Sequence, residues 1–170
     1  MVEILILYIL WRFDATIYRI AKIIETDFCA FAKPSHGTIN PALKRLESLG
    51  CVKFISNISE GGMRSNLYSI TDFGEKYLKS QILGFSFENP SSLLNNAGIL
   101  LFCSDVLSEA EREECFKNVS SHLNAHKAQV EQKLFDPYVD FSELQKAILK
   151  NSYAATDSLL ALARISNADK

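Results

Sequence analysis

Thr38, Asn40, Lys44 and Arg45 bring a hydroxyl, a carboxamide and two cations into one short stretch, and Ser35, His36 and Gly37 stand just before them. No His and carboxylates cluster here as a catalytic constellation would need, and no metal-ligand spacing is present. What these groups share is hydrogen-bond donation and positive charge, the chemistry that meets phosphate oxygens and base edges. The stretch is helical by pattern. Ile39, Leu43, Leu46 and Gly50 recur at spacings of four, three and four, with Ala42 and Leu49 beside them. The opposite face carries Thr38, Pro41, Lys44, Arg45 and Ser48. Ser35 suits a helix cap, and Gly50 suits the left-handed residue that closes a helix. Pro41 deletes one ladder hydrogen bond, so the helix is expected to begin late or to bend in its first turn. A short helix with one apolar face and one small, basic face is the form that major-groove readers use.

Such a helix needs a scaffold. Residues 2–13 are apolar on every side, which predicts a helix covered on more than one flank, by its own small domain on one and by the second half of the chain or a second copy on the other. Thr16 caps an amphipathic helix whose inward stripe is Ile17, Ile20, Ala21 and Ile24, and Phe28 and Phe31 anchor the link that follows. These two helices and the stretch above read as a helix-turn-helix. After Gly50 the period changes to two: Val52, Phe54, Ser56 and Ile58 alternate with Lys53, Ile55 and Asn57. Ser59-Glu60-Gly61-Gly62 turns the chain into a return strand over residues 63–70, with Tyr68 and Ile70 inward. Two strands after such a helix make a wing. Thr71 then caps a short helix that runs to about residue 82.

Residues 84–92 form the main shift in composition and place a domain boundary, giving residues 1–83 and 84–170 as two domains. The second half reads as helical. A short helix is expected over residues 97–107, and a long one opens at Ser108 with Phe116, Val119, Leu123, His126, Val130 and Leu134 on its seam. Asp136-Pro137 breaks it. A final helix aligns Phe141, Leu144, Ile148, Ser152, Ala155, Leu159 and Leu162, so the pair forms an antiparallel, coiled-coil-like hairpin whose wet apolar surface implies a partner. The fold class is therefore mainly α with a small β-hairpin wing.

Bulk properties narrow the function. Net charge is −2 and the pI about 5.9, so no global basic field is present. The halves differ: residues 1–82 hold 10 Lys and Arg against 8 Asp and Glu, and residues 83–170 hold 8 against 12. Cys29, Cys51, Cys103 and Cys115 lack CxxC spacing and read as buried free thiols. The apolar run at residues 4–11 follows Glu3 rather than a basic segment and is too short to span a bilayer, which points to a cytoplasmic protein. His122 and His126 lie one turn apart with no third ligand, so no metal is expected. Tyr8 and Trp11, with Phe13 nearby, are either core or the lining of an effector pocket. There is no phosphate-binding glycine loop and no nucleophile elbow, so neither an enzyme nor a cofactor is expected.

Ile20-Ala21-Lys22, residues 34–47, Gly61-Gly62 and Tyr68-Ser69-Ile70-Thr71-Asp72-Phe73-Gly74 together resemble the PadR-like transcriptional regulators, over residues 3–82. The helical second half resembles the C-terminal dimerisation domain of longer members. The resemblance implies a homodimer of winged helix-turn-helix domains on a palindromic operator in double-stranded DNA, repressing transcription and often released by a small-molecule effector. Carried onto this sequence, the DNA-binding candidates are Ser35, His36, Thr38, Asn40, Lys44 and Arg45, with Arg64 at the wing. Two departures stand out. Asn40 and His36 occupy positions where the family usually has tyrosine and proline. The wing keeps one charge in Met63-Arg64-Ser65-Asn66, so phosphate neutralisation is expected to be weaker. Asn40, in turn, is able to pair bidentately with adenine. The rival reading is a protein-interaction module on a winged-helix scaffold, and a small-molecule carrier is a third.

Overall fold

The computed structural model describes residues 1–32, 36–58 and 64–165, with the backbone alone described at 36, 57, 58, 64, 65 and 165. The Ser35 cap and the Ser59-Glu60-Gly61-Gly62 turn lie outside the described residues. The chain forms two units, Met1–Phe85 with Cys103–Leu107, and Ser86–Phe102 with the chain from Ser108 onward. Nothing in the composition announces the return of Cys103–Leu107 to the first unit.

The first unit runs α1 (Val2–Arg12), β1 (Ala15–Thr16), α2 (Ile17–Asp27), α3 (His36–Ser48), β2 (Val52–Ile58), β3 (Arg64–Ile70) and α4 (Asp72–Leu83). Every residue from Ile4 to Leu10 is buried, and α1 packs against α2, α3, α4, β3 and the 3-10 turn Cys103–Val106. Its all-round hydrophobicity is thus satisfied within one chain, by its own domain and by Cys103–Val106 from the second half, so of the two expected covers for the other flank a second copy is not needed. Thr16 caps α2 as expected, accepting from the Arg19 amide at 3.3 Å. The stripe Ile20, Ile24 faces inward and Phe28 anchors the following link.

The sheet is antiparallel, in the order β1-β3-β2. The hairpin is the expected one, with Val52 opposite Ile70 and Ile58 opposite Arg64. The additional strand β1 pairs Ala15 with Tyr68 and Thr16 with Leu67. Two residues carry no readable period, so only the packing of α1 beside β3 reveals this strand. No described helix is long and apolar enough to cross a membrane.

In the second unit, the 3-10 turn Pro90–Ser92 leads into α5 (Leu93–Phe102), which starts earlier and stops sooner than the expected helix over 97–107. A capping box between Ser108 and Glu111 opens α6 (Glu109–Leu134). After the Asp136-Pro137 break, α7 (Glu143–Ile165) returns along it. Lys127 pairs with Asp157 and lies 4.6 Å from the centre of the Tyr153 ring.

The expected seam of α6 is borne out at Phe116, Val119, Leu123 and Val130. That of α7 is not. Thr156, Leu160 and Ala163 are buried, while Leu144, Ile148 and Leu162 are 72%, 60% and 55% exposed. The helix has two apolar stripes, and α5 and α6 cover the one that contains a threonine. Thr156 is tolerated there because its hydroxyl donates to the Ser152 carbonyl at 2.9 Å.

Candidate nucleic-acid interface

The ends of α3 decide how its outer face is held. At its C-terminus the amide of Gly50 donates to the Glu47 carbonyl at 2.9 Å and that of Cys51 to the Leu46 carbonyl at 2.8 Å. This is the paired closure that needs a left-handed residue, and Gly50 has φ +73°. Leu49 turns outward there and is 50% exposed, a correction to its expected place beside the buried face. At the other end the helix already starts at His36 and runs through Pro41, so it does not begin late. Pro41 has no amide hydrogen to give to the Gly37 carbonyl, which therefore lacks its ladder bond on an exposed turn.

Between these ends the two faces separate cleanly. Ile39, Ala42, Leu43 and Leu46 are buried. Gly37, Thr38, Asn40, Pro41, Lys44, Arg45 and Ser48 are exposed. Four of the candidate residues, Thr38, Asn40, Lys44 and Arg45, thus share the solvent side of one helix whose other side is locked into the core. Of the remaining candidates, Ser35 lies outside the described residues. His36 opens α3 and Arg64 opens β3, both with undescribed side chains.

One contact on this face has no sequence signal. Arg45 Nε donates to Glu3 Oε1 at 2.8 Å, linking α3 to the first turn of α1 across 42 positions. A second long-range cluster lies at the far end of α1. The Tyr8 hydroxyl donates to Asp105 Oδ2 at 3.0 Å, accepts from Arg12 Nη1 at 3.1 Å, and Arg12 stands 3.6 Å from the same carboxylate. The Tyr8 ring stacks on Trp11 at 5.9 Å and meets Phe28 edge-on at 6.2 Å. Tyr8 is buried and Trp11 half-buried. Burial, reinforced by the Asp105 carboxylate, pushes the Tyr8 hydroxyl up to about 12.

A phenol whose folded pKa lies above its unfolded value of 10.0 contributes stability that is complete below that value and lost as pH rises toward about 12. Tyr8→Phe is expected to cost about 1 kcal/mol at neutral pH, because the Arg12–Asp105 pair survives it. It is also expected to reduce the alkaline loss of stability. Urea titrations of both proteins at neutral and alkaline pH check this, and an unchanged alkaline limb would contradict it.

The cysteines are split. Cys51, Cys103 and Cys115 are buried as expected, whereas Cys29 is exposed. Burial raises the Cys115 thiol to about 11. His126 Nε2 lies 3.3 Å from Ser152 Oγ, and His122 Nδ1 lies 3.0 Å from its own helix's Asn118 carbonyl. Among the described residues no three metal-ligating side chains come together.

Residues 6–80 match the family described as Transcriptional regulator PadR-like family. No curated protein matches the chain. Among solved structures the chain is similar to Bacillus subtilis PadR in complex with operator DNA, at 19% identity over 98% of this chain and 96% of that one, with a TM-score of 0.48. It is also similar to smu.1604c from Streptococcus mutans UA159, at 21% identity over 98% of both chains, with a TM-score of 0.46. The Vibrio cholerae virulence activator AphA is similar at 20% identity over 99% and 97% of the two chains, with a TM-score of 0.42.

Proposed function

We propose, from the match of residues 6–80 to the PadR-like family of transcriptional regulators, that the chain acts as a homodimer that represses transcription by binding a palindromic operator. The observation that carries this reading is the two-sided construction of α3. A buried stripe holds it still while Thr38, Asn40, Lys44 and Arg45 face solvent together. In this reading α3 enters the major groove, Lys44 meets phosphate, and Thr38 and Asn40 meet base edges. Arg64, at the start of β3, supplies the wing's contact.

Two copies are needed, because one short helix reads too few base pairs for selectivity. The exposed stripe Leu144, Ile148 and Leu162 on α7 is the surface we assign to the partner copy. Half-sites then lie about 34 Å apart, one helical turn. A small-molecule effector, in the same reading, meets the half-buried indole of Trp11, since Tyr8 is committed to the core.

The test is a salt series on the full chain with duplexes from its own upstream region. Specific binding by two chains per site, with a steeply negative dependence on salt, is the expected result. Flat, weak binding would leave the winged domain to a protein-interaction role. Ile148→Glu places a charge on an exposed site, so the fold should survive while the dimer separates. Operator affinity is then expected to fall by more than about tenfold. A variant that stays dimeric by sedimentation places the partner surface elsewhere.

A further inference from the structure

We propose that Glu3 is a positioning residue for Arg45, exchanging general attraction to DNA for selectivity. The inference rests on α3 being the DNA-contacting helix. The pair is asymmetric. The Glu3 side chain is 24% exposed and the Arg45 side chain 61%. The acid is therefore the fixed partner and the cation the presented one. Glu3 stands in the first turn of a helix whose next seven residues are buried, so the backbone that carries its carboxylate is held in place.

The bond is made through Nε. A guanidinium carries five N–H groups in a rigid plane, and those on its two terminal nitrogens form a separate fork. Held by Nε, Arg45 presents that fork in one orientation, and among the described residues nothing else binds it. A fork of this kind matches a guanine edge or a phosphate bidentately.

The charge works in the opposite sense. Glu3 and Arg45 are together neutral, so the pair adds little to the counterion release that drives indiscriminate binding. Arg45 then contributes mainly where an acceptor pair meets its fixed fork. Arg45 and Thr38 stand seven residues, two helical turns, apart on the same edge of α3, so the orientation set by Glu3 is imposed on the face that carries the other candidates.

Three full-length proteins, wild type, Glu3→Ala and Glu3→Gln, are titrated against an upstream duplex and a scrambled duplex of equal length, each over a salt series. Glu3→Ala is expected to lower the ratio of specific to non-specific affinity by about tenfold. It is also expected to raise non-specific binding and steepen its salt slope by about one. Glu3→Gln keeps an acceptor for Nε without the charge. It should retain most of the specific affinity while gaining the same non-specific binding. Should Glu3→Ala fold poorly, Arg45→Lys, which keeps the charge and loses the fork, is expected to lower the ratio in the same way. An unchanged ratio in Glu3→Ala, or in Arg45→Lys where that variant stands in, overturns the proposal, whether both affinities rise together or neither moves. A wild type that fails to distinguish the two duplexes overturns the operator reading itself, and this inference with it.

Discussion

Gly74→Ala is expected to destabilise the winged unit by about 3 kcal/mol or more, enough to unfold a marginal domain. A Cβ at Gly74 would stand 2.0 Å from the Cys51 carbonyl oxygen and 2.8 Å from both the Cys51 carbonyl carbon and Ile70 Cγ1. Two of these three atoms are backbone, so no rotamer change relieves the collision. The closeness has a cause. The Thr71 hydroxyl lies 2.7 Å from the Gly50 carbonyl and 3.1 Å from that of Cys51, as donor, and accepts from the Gly74 amide at 3.0 Å. The Thr71 amide also donates to the Cys51 carbonyl at 3.0 Å. One threonine thus caps α4 and ties it to the exit of α3, and only a residue without a side chain fits beneath.

Gly50→Ala is the internal comparison. Gly50 has φ +73° but no atom within 4 Å of an added Cβ, so its cost is conformational alone, about 1 kcal/mol. Urea unfolding of the two variants measures the difference. If Gly74→Ala costs no more than Gly50→Ala, the close approach does not govern the position of α3.

The second large effect concerns binding rather than folding. The double variant Asn40→Ala with Lys44→Ala is expected to lose about a hundredfold in specific affinity. A bidentate base contact contributes about 1–3 kcal/mol, and a phosphate contact adds about one to the salt slope. Both side chains are exposed on α3, so unfolding free energy should move by no more than about 0.5 kcal/mol. Leu43→Ala, one residue from Lys44 but buried, should show the reverse order: about 2–5 kcal/mol of stability lost first, with binding following it. Anisotropy titrations on the upstream duplex read the first variant. A hundredfold loss with an unchanged salt slope would assign Lys44 to a base edge rather than a phosphate. No loss would remove this face from DNA contact.

Much of the winged unit was legible because its signals are local. The change from a helical to an alternating period at Gly50 located the hairpin, and Thr16, Thr71 and Ser108 announced their helices within four residues of the amides they cap. The second unit was harder to read. A hydrophobic pattern on α7 nominated Leu144, Ile148 and Leu162, yet the buried stripe runs through Thr156. A hydroxyl satisfied by its own helix counts as polar in a sequence and as nearly apolar in a core, so periodicity selected the wrong one of two stripes.

By itself the sequence determined the helices, the hairpin, the likeness of residues 6–80 to one family, and the grouping of Thr38, Asn40, Lys44 and Arg45 on one side of α3. Each of these follows from neighbours a few residues apart, where backbone geometry alone sets which side chains meet. Only the tertiary structure decided that Arg45 belongs to Glu3 and that Tyr8 shares its hydroxyl with Asp105, 97 residues away. It also decided that Gly74 lies under a carbonyl and that Ile148 is left outside. Those outcomes depend on which helix packs on which. That is settled by burying the whole apolar surface at once, and no short window of residues contains it.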